Sequence, residues 1–310
     1  MLKSKESEKP KVIEHLYQKF RAGEIADGVV RSDLVQDAIR VTGAELGGAN
    51  PANFLKDIVR SINANSIWPD ALKRDRFTAR QRYGDKRVLQ FVGYSAEQEE
   101  PFPDHFAPDE KTPSHFVASA PMSFVARRLG RKEESWLTQI VVNLRIVESQ
   151  LSIYSPLRSR LRDVTHLQTG MKTQPEIDAV FLASFGATPS LKSRTDVHML
   201  ISCEAKQINQ RILEDQIREQ VAKAMHITKR IQTPEIDAVK PMAITVKKIN
   251  FGGEAENTVF VVEFDHLTRG DFEAKWQPES ESDERLYSMP LEAVSQTLYR
   301  IVPPVSGLNA

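Results

Sequence analysis

A glutamate and a lysine stand two residues apart at the end of an apolar segment, at Glu204 and Lys206. The preceding Met199-Leu200-Ile201 is typical of a buried β-strand. Because side chains alternate between the two faces of a strand, Glu204 and Lys206 point to one side, and Cys203 and Ala205 point to the other. Charged groups on a buried strand are costly unless a partner compensates them. This pair is therefore the first candidate for chemistry.

Asp178, expected near the start of the preceding strand, supplies a second carboxylate. The carboxylates of Asp178 and Glu204, together with the backbone carbonyl of Ala205, form an oxygen-rich site that suits Mg²⁺, with Mn²⁺ as a substitute. Such an ion polarises a phosphodiester and lowers the pKa of a bound water, and Lys206 can orient that water or neutralise developing charge. The alternative interpretation is a structural ion pair between Glu204 and Lys206 at a strand end.

The spacing of these residues resembles the PD-(D/E)XK nuclease superfamily. Pro175-Glu176-Ile177-Asp178 is followed, 26 residues after Asp178, by Glu204-Ala205-Lys206. The first half reads Pro-Glu-Ile-Asp instead of Pro-Asp, so Asp178 is matched by its position on the strand. The resemblance covers about Ser123 to Leu267 and implies Mg²⁺-dependent phosphodiester hydrolysis that leaves a 5′-phosphate. It implies metal binding by Asp178 and Glu204 and a catalytic role for Lys206.

Two further site residues are implied by the resemblance alone. Some members of the superfamily add an acidic residue from the first helix of the domain, and Glu148 is the candidate here. Some use a glutamine on the helix after the motif strand, and Gln216 or Gln220 matches that place.

The hexapeptide Pro175–Val180 occurs a second time, letter for letter, at Pro234–Val239. The second copy follows the Glu204 strand and its helix, where the superfamily pattern does not put the metal-binding aspartate. We interpret it as a chance repeat, with Asp237 as the fallback ligand.

The elements that must position these residues follow from hydrophobic periodicity. The pattern predicts an α/β (α+β) domain with a mixed central sheet flanked by helices, similar to the restriction-endonuclease core. The predicted helices are 133–152, 210–230 and 291–300, and the predicted strands are 176–183, 197–206, 242–249 and 258–264.

The N-terminal part of the sequence predicts a mainly helical winged-helix domain. Helical patterns run over 11–21, from Ser32, and from Asn50-Pro51 to Trp68, and a hairpin pattern of period two follows over 77–92. The topology and the local charge favour DNA binding over a hairpin that contacts no DNA. Seven basic residues against two acidic ones lie in this region, and they are the predicted DNA contacts: Lys73, Arg74, Arg76, Arg80, Arg82, Lys86 and Arg87.

Composition sets the domain boundaries and excludes several classes of protein. Residues 1–94 are expected to form the winged-helix domain, 95–117 an acidic, proline-rich linker, and 118–310 the nuclease domain. No apolar segment is long enough to span a membrane, the N-terminal segment does not resemble a signal peptide, and Cys203 is the single cysteine. A reducing, cytoplasmic location fits this composition. No phosphate-binding or dinucleotide-binding glycine motif occurs, so no nucleotide cofactor is expected.

The sequence thus predicts a sequence-specific DNA endonuclease similar to type II restriction enzymes. Cleavage of both strands of double-stranded DNA requires two active sites, so a homodimer is expected. By the same resemblance, a cognate methyltransferase would protect the host's copies of the recognition site. Two alternatives remain open: a nuclease of repair, defence or branched DNA with the same catalytic residues, and a DNA-binding regulator whose nuclease-like domain does not cleave.

Overall fold

The computed structural model describes residues 8–46, 51, 54–82, 86–173, 175–187, 196–208, 210–229, 236–279 and 284–308. The chain divides into two compact units, with the boundary between His105 and Phe106. We call Met1–His105 unit 1 and Phe106–Ala310 unit 2. Among the described residues, no helix has both the length and the apolar character needed to cross a membrane.

Unit 1 combines helices with a small antiparallel sheet. The strand β3 is central in this sheet, between β1 and β2. The core side chains include Val12, Ile13 and Leu16 of α1, which are fully buried, together with Val30 of β1 and Leu89 of β3. The elements in chain order are α1 Lys9–Arg21, β1 Val29–Arg31, α2 Ser32–Thr42, α3 Lys56–Val59, α4 Ala64–Ile67, α5 Asp70–Arg74, β2 Phe77–Gln81 and β3 Arg87–Gly93.

The third helix predicted for this unit is wrong as a continuous element. The described part of that segment forms the short helices α3 and α4, separated at Ser61 and Asn63. The hydroxyl of Ser61 accepts a hydrogen bond from the backbone N–H of Asn63 at 3.1 Å. Such local side-chain bonds compete with helical hydrogen bonds. The periodicity identifies Phe54 and Ile58 as buried, and both are at most 2% exposed, but Ile62 on the same predicted face is 52% exposed.

The predicted linker, 95–117, forms no helix but contributes to both units at its ends. Within unit 1, the ring of Phe102 packs edge-on against Trp68 at a centroid distance of 5.0 Å. The side chain of Asn65 accepts a hydrogen bond from the Phe102 N–H at 2.9 Å. Within unit 2, Ser114–Ala118 forms the strand β4. Aromatic side chains among the acids and prolines therefore attach this segment to the units.

Unit 2 is a mixed α/β unit with a large curled sheet flanked by helices, as the periodicity predicts at this level. The strand order is β4-β11-β9-β8-β7-β6-β5, with β10 paired to β8. The elements are β4, α6 Phe124–Arg128, α7 Glu134–Asn143, α8 Ile146–Ser149, a π-helix Gln150–Tyr154, β5 Leu161–Met171, β6 Ile177–Phe185, β7 Val197–Lys206, α9 Glu214–Thr228, β8 Ala238–Phe251, β9 Glu254–Phe264, β10 Leu267–Thr268, α10 Arg269–Lys275 and β11 Ala293–Val302.

The sheet has two apolar faces, each covered by helices. On one face, Ile201 and Cys203 of β7 pack with residues of α7 and α8, such as Leu137 and Val147. On the other face, Leu200 packs with side chains of α9 and α10. Burial on both faces explains why β7 reads as a continuous apolar run.

Two predictions for unit 2 need correction, and one strand was not predicted. The segment expected to form a last helix, 291–300, forms the strand β11, which pairs antiparallel with β9 and parallel with β4. Its β-branched and aromatic residues suit a strand. The long helix expected over 133–152 is interrupted at Arg145, whose φ is +53°. The strand β5 is an exposed edge strand whose hydrophobic alternation is weak, and the pattern did not reveal it.

A buried polar network lies between the sheet and the π-helix. The Lys240 ammonium lies 2.8 Å from a carboxylate oxygen of Glu263 and donates to the Phe264 carbonyl at 2.9 Å. The hydroxyls of Ser155 and Ser295 each donate to Glu263 at 2.6 Å. Lys240 and Glu263 are at most 1% exposed, so the network satisfies two ionised groups inside the unit.

We expect Lys240→Met to destabilise the protein by about 3–5 kcal/mol, because it leaves the Glu263 carboxylate buried without its counter-ion. The double variant Lys240→Met/Glu263→Gln should recover part of this loss, since no buried charge remains. Lys229→Met is the control: Lys229 pairs with Glu273 at 3.2 Å on the surface, and its loss should cost less than about 1 kcal/mol. Urea unfolding of the four proteins measures each value, and equal losses at the two lysines would contradict the account.

Candidate active site

Adjacent strands bring Asp178, Glu204 and Lys206 to one edge of the sheet of unit 2. Asp178 is the second residue of β6, and Glu204 and Lys206 are near the end of β7. The antiparallel register of β6 and β7 pairs Ala179 with Cys203, which brings Asp178 beside Glu204. A carboxylate oxygen of Asp178 accepts a hydrogen bond from the Ala205 N–H at 2.7 Å.

Glu204 and Lys206 form a buried ion pair. Each side chain is 1% exposed, and the Lys206 ammonium donates to Oε1 of Glu204. The ammonium also lies 3.3 Å from the Ala205 carbonyl oxygen. A strand periodicity of two places both side chains on one face, as the sequence predicts.

Gln220 holds the other oxygen of Glu204. Its amide donates to Oε2 of Glu204 and, at 2.7 Å, to the backbone carbonyl of Glu176. Gln220 lies on the buried face of α9 and is 1% exposed. It thus connects the start of β6 to the Glu204 carboxylate. Gln216, the other glutamine candidate, lies about one turn earlier on α9 and is partly exposed.

Glu134, an acidic residue of the first helix that reaches this cluster, was not among the site residues predicted from the sequence. It is the first residue of α7, and its carboxylate lies 3.8 Å from the Lys206 ammonium. The side chain of Gln207 donates to the Glu133 carbonyl at 2.7 Å, which fixes the start of α7 against the end of β7. The available signal was the acidic pair that opens the amphipathic helix pattern.

Glu148, the predicted residue of that helix, lies in α8. Burial raises the pKa of its carboxyl group, and one buried carboxylate oxygen makes no hydrogen bond with any described residue. The kink at Arg145 separates α7 from α8, so a straight-helix pattern cannot place Glu148.

Burial raises the pKa of the Asp178 carboxyl group above its ordinary value. The carboxylates of Glu134 and Glu176 act in the same direction, and the Lys206 ammonium and the Ala205 N–H oppose the shift. The cluster thus combines the carboxyl groups of Asp178, Glu204 and Glu134 with one ammonium. A divalent cation bound among these carboxylates would lower their mutual repulsion.

The donor set suits a hard cation that keeps several waters. In the described part of the chain, no group of three His, Cys, Asp or Glu side chains is arranged to hold a metal ion. Mg²⁺ is commonly bound by one or two carboxylates with water in its remaining positions, and Asp178, Glu204 and the Ala205 carbonyl fit that requirement. Two fully buried hydroxyls on the same face, those of Ser202 and Thr245, lack a partner among described residues and can bind water.

Asp237 lies at the opposite end of β7 and is wrong as a fallback ligand. Its carboxylate accepts a hydrogen bond from the His198 N–H at 2.8 Å. His198 is six residues from Glu204, which corresponds to about 20 Å along a strand. In the second hexapeptide, the residues before Ile236 lie outside the described residues.

The seven basic residues predicted to contact DNA occupy different environments in unit 1. Arg82 is 6% exposed and its Nε donates to Gln90 at 2.8 Å, so it belongs to the interior of the unit. Arg76 donates to the Gln98 carbonyl at 2.7 Å. Arg74 and Lys86 are exposed, and the remaining three are partly exposed: Lys73, Arg80 and Arg87.

No family model, curated protein or solved structure matches this chain. The geometry of the cluster is therefore the basis for the functional assignment.

We expect Asp178→Asn to raise the melting temperature of the metal-free protein at about pH 8. Because the pKa of Asp178 is raised in the folded protein, ionising its carboxyl group lowers the free energy of unfolding. This loss is complete above the folded-state pKa and disappears below the unfolded-state pKa of about 3.9. The amide keeps an oxygen acceptor for the Ala205 N–H. Thermal unfolding in EDTA between about pH 4 and pH 8 measures the difference, which should grow with pH.

Repeating the scan with Mg²⁺ tests the metal site independently. Wild type should gain about 2.7 kcal/mol at a metal concentration 100-fold above the dissociation constant, and Asp178→Asn should gain much less. A variant that is less stable than wild type at high pH in EDTA would show that the Asp178 carboxylate is a stabilising partner of Lys206.

Proposed function

We propose that the protein is a Mg²⁺-dependent DNA endonuclease whose active site is formed by Asp178, Glu204 and Lys206 in unit 2. The observation that carries the proposal is the convergence of these three side chains at the end of two adjacent strands, with Lys206 buried against Glu204. An isolated ion pair would not also have a partly buried carboxylate, that of Asp178, on the intervening peptide group and a buried glutamine, Gln220, on the Glu204 carboxylate.

The order of elements around the site supports the proposal. A helix, α7, is followed by the antiparallel strands β5, β6 and β7, then by α9 and by β8, which is parallel to β7. This order resembles the core of the PD-(D/E)XK superfamily, in which a helix precedes the motif hairpin and a second helix follows it.

Each residue has a defined role in the proposed reaction. The carboxylates of Asp178 and Glu204 and the Ala205 carbonyl would hold Mg²⁺, which supplies Lewis-acid polarisation of the phosphodiester and a bound water of lowered pKa. Gln220 orients the Glu204 carboxylate. The Lys206 ammonium would lie beside the reacting phosphate. There it would orient the attacking water and offset negative charge as the phosphorane develops. Glu134 places an additional carboxylate near Lys206.

Unit 1 is the proposed DNA-binding unit, of winged-helix type. Its elements follow the order α1, β1, α2, short helices, then the hairpin β2–β3, and β1 completes the sheet beside β3. The exposed cations Arg74, at the end of α5, and Lys86, which immediately precedes β3, are suited to phosphate contacts. Double-strand cleavage of one sequence would require a homodimer, and a cognate methyltransferase belongs to the same proposal.

We expect Glu204→Gln and Lys206→Met each to lower the rate of Mg²⁺-dependent plasmid cleavage by about 100-fold or more, because each removes a charged group that contacts the metal or the transition state. The assay is conversion of supercoiled plasmid DNA to nicked, linear or banded products with and without Mg²⁺. Discrete bands indicate sequence specificity, and nicks or a smear indicate a repair or structure-directed nuclease.

The repeated hexapeptide provides a matched control. Asp178→Asn and Asp237→Asn are the same change in the same local sequence, but only Asp178 lies at the proposed site. The Asp237→Asn variant should cleave plasmid DNA at the wild-type rate. Equal effects of the two changes, or full activity of Glu204→Gln, would refute the assigned site.

We expect Arg74→Gln/Lys86→Gln to weaken binding of a duplex and to reduce the slope of log affinity against log salt by about 2, because two phosphate contacts are lost. Fluorescence anisotropy in EDTA measures both quantities. Lys11→Gln/Lys19→Gln is the control: it removes the same charge from α1, where the two lysines pair with Glu8 and Glu24. Equal losses in both variants would indicate an effect of net charge alone.

A further inference from the structure

A basic and apolar surface patch precedes α7 in unit 2. Three large apolar side chains of the segment 124–132 are strongly exposed: Phe124 at 62%, Val125 at 62% and Leu129 at 71%. Arg128, Arg131 and Lys132 are also exposed, and the segment contains no acidic residue. The Arg128 guanidinium lies over the Phe124 ring at 4.8 Å. We call this segment the α6 patch.

The backbone of the α6 patch is held firmly. The Ser123 hydroxyl caps α6 by accepting from the Ala126 N–H at 3.1 Å. The Arg127 carbonyl accepts from the Ser306 N–H at 2.8 Å. Gly130 allows a close approach, since a Cβ there would lie 1.9 Å from the Ser306 carbonyl oxygen. The exposed side chains therefore project from a fixed part of the fold.

The α6 patch lies close to the candidate active site. Leu129 is four residues before Glu133, and four residues of extended chain span at most about 14 Å. Glu133 accepts a hydrogen bond from Gln207, and Glu134 lies 3.8 Å from the Lys206 ammonium. The C-terminal end of the α6 patch is therefore only a few residues from the start of α7, whose first residue, Glu134, contacts the candidate active site.

We propose that the α6 patch binds the DNA duplex beside the cleaved phosphate, with Phe124 and Leu129 as wedges against the bases and Arg128, Arg131 and Lys132 on the flanking phosphates. This inference rests on the proposed function of unit 2. Apolar wedges beside basic side chains are a recurring arrangement for bending and partly unstacking DNA. Positive charge without any acid complements the phosphate backbone.

Other partners fit the α6 patch less well. A second copy of the chain, facing itself across a two-fold axis, would bring like charges together, which is unfavourable in an isologous interface. A membrane-surface helix needs a longer amphipathic face than the five residues of α6.

The test compares two variants of the patch with a charge-matched control in the full-length protein. The basic variant is Arg128→Gln/Arg131→Gln/Lys132→Gln, and the apolar variant is Phe124→Ala/Leu129→Ala. The control, Arg158→Gln/Arg160→Gln/Arg162→Gln, removes the same charge near Leu161, which pairs with Phe185 at the far end of β6 from Asp178. Duplex binding is measured by anisotropy in EDTA, so that cleavage is not required, and base unstacking by the fluorescence of 2-aminopurine in the duplex.

The basic variant should bind at least about tenfold more weakly than the control, with a salt slope lower by 2 to 3. The apolar variant should keep the salt slope and lose the rise in 2-aminopurine fluorescence. The inference is overturned if the basic variant and the control are equal, if wild type does not bind the duplex, or if the changes affect only self-association or binding to anionic vesicles. Patch-dependent binding without Mg²⁺-dependent cleavage would overturn the proposed nuclease function and leave the α6 patch as a duplex-binding surface only.

Discussion

The buried ion pair between Glu204 and Lys206 is the interaction on which the architecture of unit 2 depends. Removing two charges from water is expensive, and the cost is offset only when their remaining hydrogen-bonding groups are also satisfied. Gln220 from α9 satisfies one side of Glu204, and Glu134 from α7 approaches Lys206 from another. The pair therefore requires a central strand, helices over both faces of the sheet, and the Ala205 carbonyl at the strand end.

The position of Asp178 follows from the same constraint. Its carboxylate binds the Ala205 N–H, the peptide group between the two members of the pair. The antiparallel register of β6 and β7 thus fixes the separation of the carboxylates without any loop contribution. Burial and neighbouring acids make the ionised form of Asp178 unfavourable.

The sequence predicted what depends on local periodicity. It located β7 and predicted that Glu204 and Lys206 lie on the same face of that strand, because side chains alternate between the two faces of any β-strand. It could not place Glu148, since the backbone turns at Arg145 and a straight helix was assumed. It assigned a helix to β11, whose strand structure depends on pairing with the distant β9 and β4. Both errors arise where tertiary contacts override local preference.

A second buried Lys–Glu pair shows why burial alone does not identify the site. Lys240 and Glu263 are as buried as Glu204 and Lys206, but each ionised group is matched, one carboxylate to one ammonium, and two serine hydroxyls complete the carboxylate. At the Asp178 end of β6 and β7, the carboxylates of Asp178, Glu204 and Glu134 lie near the Lys206 ammonium, and the buried hydroxyls of Ser202 and Thr245 on that face have no hydrogen-bond partner among the described residues. The gathering of several carboxylates beside unpartnered hydroxyls, more than the presence of a buried pair, distinguishes the candidate site from the Lys240–Glu263 network.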